Sequence, residues 1–415
     1  MFDFPPRSED ASPSDDPGAG APLALDSLAM RWQMLVGQGR RPVGVRLAMR
    51  SRSAADAAPL SGLMSGVVRG FTDGDNGVFP HGLVLLAPQG FRYDAAMARW
   101  TAPRNVLIEV PDSELGDEER TRVRFETRRQ GVRHVLRADG ALPERECLQF
   151  FQYVIGHGAD LRAGAATLPV PLLSLDSGSL EQASAALDGG AHAVVGWPLG
   201  PKAPDAEQGF SPSQRAILEL VRLVQTDADL RTVEQVFEAE PLLAYMLLTL
   251  ANSPAFRRGG PTTSLRQAVA SIGYGRLVKW LVLLLAISNR DGQNTPLIFA
   301  SLVRAHCMEA LVLAATRSTA QADEAFIVGA FTLLDRIIGQ TLDVLLREID
   351  LPEAANAALL RRDGPLGPYL DTVLALEAGA EESVAAAAEL PVDSDLLNKS
   401  LLRAIAMADS MLALV

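Results

Sequence analysis

Cysteine is nearly absent from this chain. Its 415 residues include only Cys147 and Cys307, far apart and without a CxxC. That spacing excludes a disulfide framework and suits a reducing cytosol, with each thiol read as a small buried apolar side chain. Histidine is also scarce. His81, His134, His157, His192 and His306 are scattered without metal-ligand spacing. Basic charge falls short of acidic charge, with 38 Lys and Arg against 50 Asp and Glu, giving a net charge of −12 and a pI of about 5.0. A surface of that sign argues against non-specific nucleic-acid binding, which needs a basic patch to neutralise phosphates. Long apolar runs are missing too. Leu281–Ile287 is the longest, far below the ~20 residues that span a bilayer. The acidic, Pro- and Gly-rich start has no apolar signal core. These absences predict a cytoplasmic protein without membrane insertion.

Several motifs of chemistry are absent as well. No GxGxxG follows a strand pattern, and neither a Walker A sequence nor a GxSxG elbow occurs. The Asp73–Gly77 stretch DGDNG lacks the remaining EF-hand spacing and reads as a turn. SIGYGR at Ser271–Arg276 reads as helix punctuation rather than a phosphate cradle.

What remains is an ordinary globular composition, 48% hydrophobic and 21% charged. The length predicts two domains. Residues 1–24 read as a disordered tail. Residues 25–203 have mixed texture. Short β-type runs (VGVRLAM, GLVLLA, NVLIEV, VRHVLRA, FQYVIG, LPVPLLSL and HAVVGW) alternate with helix-length stretches such as Ser113–Gln130 and Ser179–Gly189. Strands alternating with helices predict βαβ units and a parallel sheet. Ser51–Asp75 gives no clear pattern. Residues 204–213 read as a linker, rich in Pro, Gly, Ser and charge. Residues 214–415 are almost wholly helical in pattern, with apolar positions three and four apart. The expected fold class is therefore α/β followed by all-α.

The helical half carries FEAEPLLAYMLLTLANSPAF, then SLRQAVASIGYGRLVKWLVLLL. Over Ser211 to about Leu346 it resembles the HDOD family, a non-catalytic relative of HD phosphohydrolases. The resemblance places the metal-binding His–Asp pair at Leu334 and Asp335. Leucine has no lone pair for a cation, so the pair is broken. His306 reads as a helix histidine satisfied by a neighbour. Arg276 and Lys279 are candidates for an interaction surface towards an acidic partner or RNA.

The first half resembles, more faintly, an EAL domain, the barrel of cyclic-di-GMP phosphodiesterases. PVGVRLAMR is similar to the strand bearing the name-giving glutamate, with Arg46 at that position. NVLIEVPDSEL keeps a second ligand as Glu109. GVRHVLRADG holds Arg137 and Ala138 where paired aspartates are implied. FQYVIGHGADLR has Ile155 for a catalytic lysine, and AHAVVGWPLG has Val195 for a glutamine. In that family, carboxylates hold two divalent cations that activate water. At ~4 Å and an effective dielectric near 20, each unit charge on an arginine opposes a cation charge by about 4 kcal/mol. The resemblance thus implies no catalytic residues, no metal and no cofactor. Arg46 and Arg137 could hold an anion such as a cyclic-di-GMP phosphate, but pairing with Glu109 and Asp112 is the favoured reading. About 180 residues, against ~250 for a full barrel, predict a degenerate or truncated barrel. The implied function is a regulatory scaffold in bacterial signalling that works through protein partners. The alternatives are a residual phosphodiesterase or phosphohydrolase, and a nucleic-acid-binding regulator.

Overall fold

The structure is a computed structural model. It describes residues 25–52, 58–72, 79–92, 94–115, 131–139, 145–158, 168–199, 211–252, 262–287, 294–349, 351–377 and 390–412. The tail 1–24, the Asp73–Gly77 turn, most of the stretch expected as helix over Ser113–Gln130, and most of the expected linker lie outside these residues.

Among the described residues the first half has ten strands: β1 (Leu28–Gly37), β2 (Pro42–Ser51), β3 (Ala58–Pro59), β4 (Leu83–Gln89), β5 (Phe91–Arg92), β6 (Val106–Pro111), β7 (Arg133–Arg137), β8 (Tyr153–Gly156), β9 (Leu172–Ser174) and β10 (Ala193–Val195). Eight close into a barrel in the order β1-β10-β9-β8-β7-β6-β4-β2, while β3 and β5 form a separate pair. β1 runs antiparallel to both neighbours, and every other ladder in the barrel is parallel. β1 and β2 form a hairpin whose turn uses positive φ at Gly39 (68°) and Arg40 (56°). Of the two forms expected, degenerate or truncated, the barrel has lost no strand, since all eight close the ring. Strands β9 and β10 are short, with three residues each, and helices of both halves, among them Leu60–Thr72, pack on the outer face of the barrel.

Side chains alternate across each strand. Leu35, Leu85, Leu107, Val135, Ile155, Leu173, Ala193 and Val195 meet in one buried cluster inside the barrel. Their neighbours in sequence (Met34, Val84, Leu86, Val106, Ile108 and Val194) belong to the outer core instead. Gly44 marks the closest backbone approach, since a Cβ there would lie 2.1 Å from the Leu83 carbonyl oxygen.

The second half is helical. Helices cover Pro212–Gln225, Leu230–Ala239, Pro241–Ala251, Leu265–Ile272, Tyr274–Ile287, Thr295–Thr316, Thr319–Phe331, Leu334–Ile338, Leu342–Ile349, Glu353–Arg361, Gly367–Ala375 and Ser394–Leu412. Ser211 caps the first with a full capping box through Gln214. Pro241 opens its helix at the first turn and so divides what reads in sequence as one long segment.

The two halves share one core. Trp32 on β1 packs edge-on against Phe299, with ring centroids 6.0 Å apart. Asn398, buried in the last helix, donates to the carbonyls of Leu25 (2.7 Å) and Leu28 (3.0 Å). Helix Thr295–Thr316 is long and apolar enough to cross a membrane, with mean hydropathy 1.7. In this fold, 78% of that apolar stretch is buried against other helices and the barrel.

Candidate functional site

The inward positions towards the C-terminal ends of the parallel strands are where a barrel of this kind builds a site. The bulk of that layer is apolar. Ile155 and Val195 are fully buried in the interior cluster. Ala138 is also buried, and its N–H is taken by the Ile155 carbonyl at 2.9 Å.

The polar members join into one network. Glu109 is buried, with a side chain only 3% exposed. Its two oxygens accept from Arg46 Nε (2.7 Å) and Nη2 (2.8 Å), the bidentate geometry of a guanidinium on a carboxylate. Arg46 Nη1 donates to Gln33 Oε1 at 2.8 Å. Arg137 Nη1 stands 3.5 Å from the same Glu109. Its other nitrogens hold Asp139 at 2.6–3.0 Å. The hydrogen bond to Asp139 holds the Arg137 guanidinium above its usual range, against the opposing effect of burial. Asp112 engages the backbone N–H of Asp139 (3.0 Å). The Glu109 carboxylate is therefore already neutralised by cations of the chain itself.

A second polar group lies on the loops after β8 and β9. Asp176 accepts from Gly158 N–H (2.8 Å) and Ser174 Oγ (2.8 Å), and lies 2.8 Å from His157 Nδ1. Burial alone would raise the Asp176 pKa. The hydrogen bonds from His157, Gly158 and Ser174 outweigh that and hold it below the usual carboxylate range. Gln33, Asp139 and the His157–Asp176 pair were not legible as site residues in the sequence. The alternation along β1, which places Gln33 on the face of Leu35, is the one signal that could have found the first.

In the helical half, Leu334 is buried at the start of its short helix. Beside it Asp335 is half-buried. Burial raises its carboxyl pKa, offset in part by the Arg336 backbone N–H and guanidinium. Arg336 Nη1 donates to the Pro198 carbonyl at 2.9 Å. Arg304 grips Glu377 at 2.8 and 2.6 Å and Thr332 Oγ1 at 3.0 Å. His306 lies 3.4 Å from Glu309 and 3.2 Å from Met411 Sδ.

Two expectations need correction. Lys279 is not an open interaction residue: its ammonium pairs with Glu309 and sits 5.3 Å over the Phe326 ring. Its position on the inner side of a helix facing Thr295–Thr316 dictates this, and Arg276 alone of the two is exposed. Cys147 is exposed, since its four-residue helix turns Leu148 inward instead. Cys307 is buried, and burial pushes its thiol pKa up to about 12. Among the described residues, no three His, Cys, Asp or Glu side chains are placed to hold a metal ion.

Residues 211–338 match the HDOD domain family. The chain is 30% identical over 162 residues to the cyclic di-GMP phosphodiesterase CdgJ of Vibrio cholerae, covering 39% of this chain and 37% of that protein. It is 25% identical over 161 residues to the uncharacterized protein YuxH of Bacillus subtilis, covering 38% of this chain and 39% of that one. The matched segment therefore spans well under half the length of these relatives. Among solved structures, the Bacillus subtilis YkuI protein with an EAL domain is similar at 12% identity, with a TM-score of 0.29, covering 60% of this chain and 71% of that one. The barrel itself is established by its own strand pairing. This chain thus joins a closed eight-stranded barrel to a helical half in which residues 211–338 match the HDOD domain family.

Proposed function

We propose that this chain is a non-catalytic regulatory protein of cyclic-di-GMP signalling that acts through protein contacts. The observation that carries the reading is the salt-bridged interior of the barrel. Arg46 lies against Glu109 with two hydrogen bonds, in the region where a metal-dependent phosphodiesterase of this fold needs its cations. A guanidinium there repels a divalent ion and consumes the lone pairs that would bind it. Leu334 removes the lone pair of the helical module's His–Asp position in the same way. The link to cyclic-di-GMP rests on the matched HDOD family and on the relative named for that nucleotide.

Equilibrium dialysis of the full chain against Mg²⁺ or Mn²⁺, followed by metal analysis, tests the reading. The expected result is no stoichiometric metal. One or two ions per chain, lost in Glu109→Gln, would overturn it. The alternative of a residual phosphodiesterase has one observation in its favour, the 30% identity to an enzyme of that name. It requires the metal that this experiment measures.

A further inference from the structure

The ladder that closes the barrel between β1 and β10 is short. It registers only Leu35 with Val195, Val36 with Val194 and Gly37 with Ala193. One more bond runs from Gly196 N–H to the Met34 carbonyl at 2.7 Å. Because β1 is antiparallel, its Leu28–Gln33 portion extends past the end of β10, and no β10 residue is registered with it. An uncovered strand edge presents backbone groups that need partners.

The C-terminal half supplies them. The Leu376 carbonyl, just after helix Gly367–Ala375, accepts from Trp32 N–H at 3.1 Å. On the other side, Arg336 Nη1 holds the Pro198 carbonyl, just beyond β10. Both clasps lead to the HD position. Arg336 adjoins Asp335, and Glu377, next to Leu376, is the bidentate partner of Arg304, which also bonds Thr332. Both also lead to the barrel interior. Gln33 follows Trp32 and accepts from Arg46. Trp32 and Gln33 face opposite sides of one strand, so Trp32 packs on Phe299 while Gln33 meets the Arg46–Glu109 pair.

We propose that the C-terminal helices clasp the β1–β10 seam and so couple the Arg46–Glu109 cluster to the Arg304–Glu377 pair through Gln33 and Trp32. The coupling is reciprocal, as any coupling free energy between two sites must be. It does not depend on whether the barrel is catalytic. Each clasp is a single hydrogen bond. The Arg336 Nε has no partner among the described residues, so Nη1 alone holds Pro198.

Hydrogen–deuterium exchange of the full chain, read peptide by peptide, tests the proposal. Gln33→Met removes the acceptor for Arg46 while keeping length and packing, and Arg336→Met releases Pro198. Gln33→Met is expected to speed exchange in residues 369–377 and 330–338 by about tenfold, relative to helix Pro212–Gln225. Arg336→Met is expected to do the same in residues 28–34 and 106–111. Arg266→Met, which breaks an exposed pair with Glu234, should move none of these. Unchanged exchange across the seam in both variants overturns the proposal. If exchange rises uniformly, the double variant decides. Non-additive unfolding free energies support the coupling, and additive ones overturn it.

Discussion

Arg46 shows what a single residue decides here. Its guanidinium meets a carboxylate that is almost wholly buried, and a charge in that setting is tolerated only when paired. Arg46→Met leaves Glu109 with the 3.5 Å contact to Arg137 alone. The expected cost is about 3 kcal/mol, in line with removing one partner of a buried pair. Adding Glu109→Gln should restore part of it. Urea unfolding of the two variants checks both statements, and equal midpoints for the single variant and the parent would refute them. Gly329 is a second such residue. A Cβ there would lie 2.5 Å from both the Ala305 N and Cα, where helix Thr319–Phe331 crosses helix Thr295–Thr316. Gly329→Ala must push two core helices apart, which costs on the order of 3 kcal/mol. The same unfolding experiment measures it.

At the scale of the element, helix Thr295–Thr316 organises the second half. It carries apolar side chains all round, interrupted by Arg304, His306 and Glu309. Burial would raise the Glu309 pKa, but hydrogen bonds from His306 and Lys279 and the Lys279 charge outweigh it and lower the pKa. A carboxylate depressed in this way stabilises the fold above its unfolded pKa, which is near 4.5. That contribution disappears as pH falls through the lower folded value. Asp323, raised chiefly by its own burial and facing the same Lys279, shifts in the opposite sense. The difference in stability between the parent and Glu309→Gln isolates the first group. It should be constant near neutral pH and shrink below about pH 4.5. A difference that grows on acidification would contradict the assignment.

Elements of this kind were legible to differing degrees. Seven barrel strands follow from β-type runs, and helix Leu180–Asp188 follows from its Ser179 cap. β1 escaped, because Arg31 and Gln33 interrupt its apolar residues and its outer face is covered by helices distant in sequence. Helix Leu60–Thr72 escaped because glycines and serines dilute its pattern, although Leu63, Met64, Val67 and Phe71 form a buried stripe. The site was half legible. The expected pairing of Arg46 and Arg137 with Glu109 is what the structure shows. The partners Gln33 and Asp139 depend on barrel register, and the clasp at Pro198 depends on packing between residues far apart in sequence.

At the scale of the whole molecule, one buried core runs from β1 and β2 into the helices beyond residue 294. Met30, Trp32 and Met34 would face water without those helices. Unfolding should therefore be one cooperative transition, with coincident fluorescence and circular-dichroism curves. Two separated transitions would contradict a shared core. Asn398→Ala removes the donor to the Leu25 and Leu28 carbonyls and should lower stability by about 1–3 kcal/mol.

The proposed absence of hydrolysis rests on the chain's own ion pairs, Arg46–Glu109 and Arg137–Asp139, at the polar end of an otherwise apolar barrel interior. The most direct measurement is turnover of cyclic-di-GMP by the purified full chain with Mg²⁺ or Mn²⁺. The account expects no product above the metal-only control, both for the parent and for Glu109→Gln. Metal-dependent hydrolysis by the parent that Glu109→Gln abolishes would contradict it.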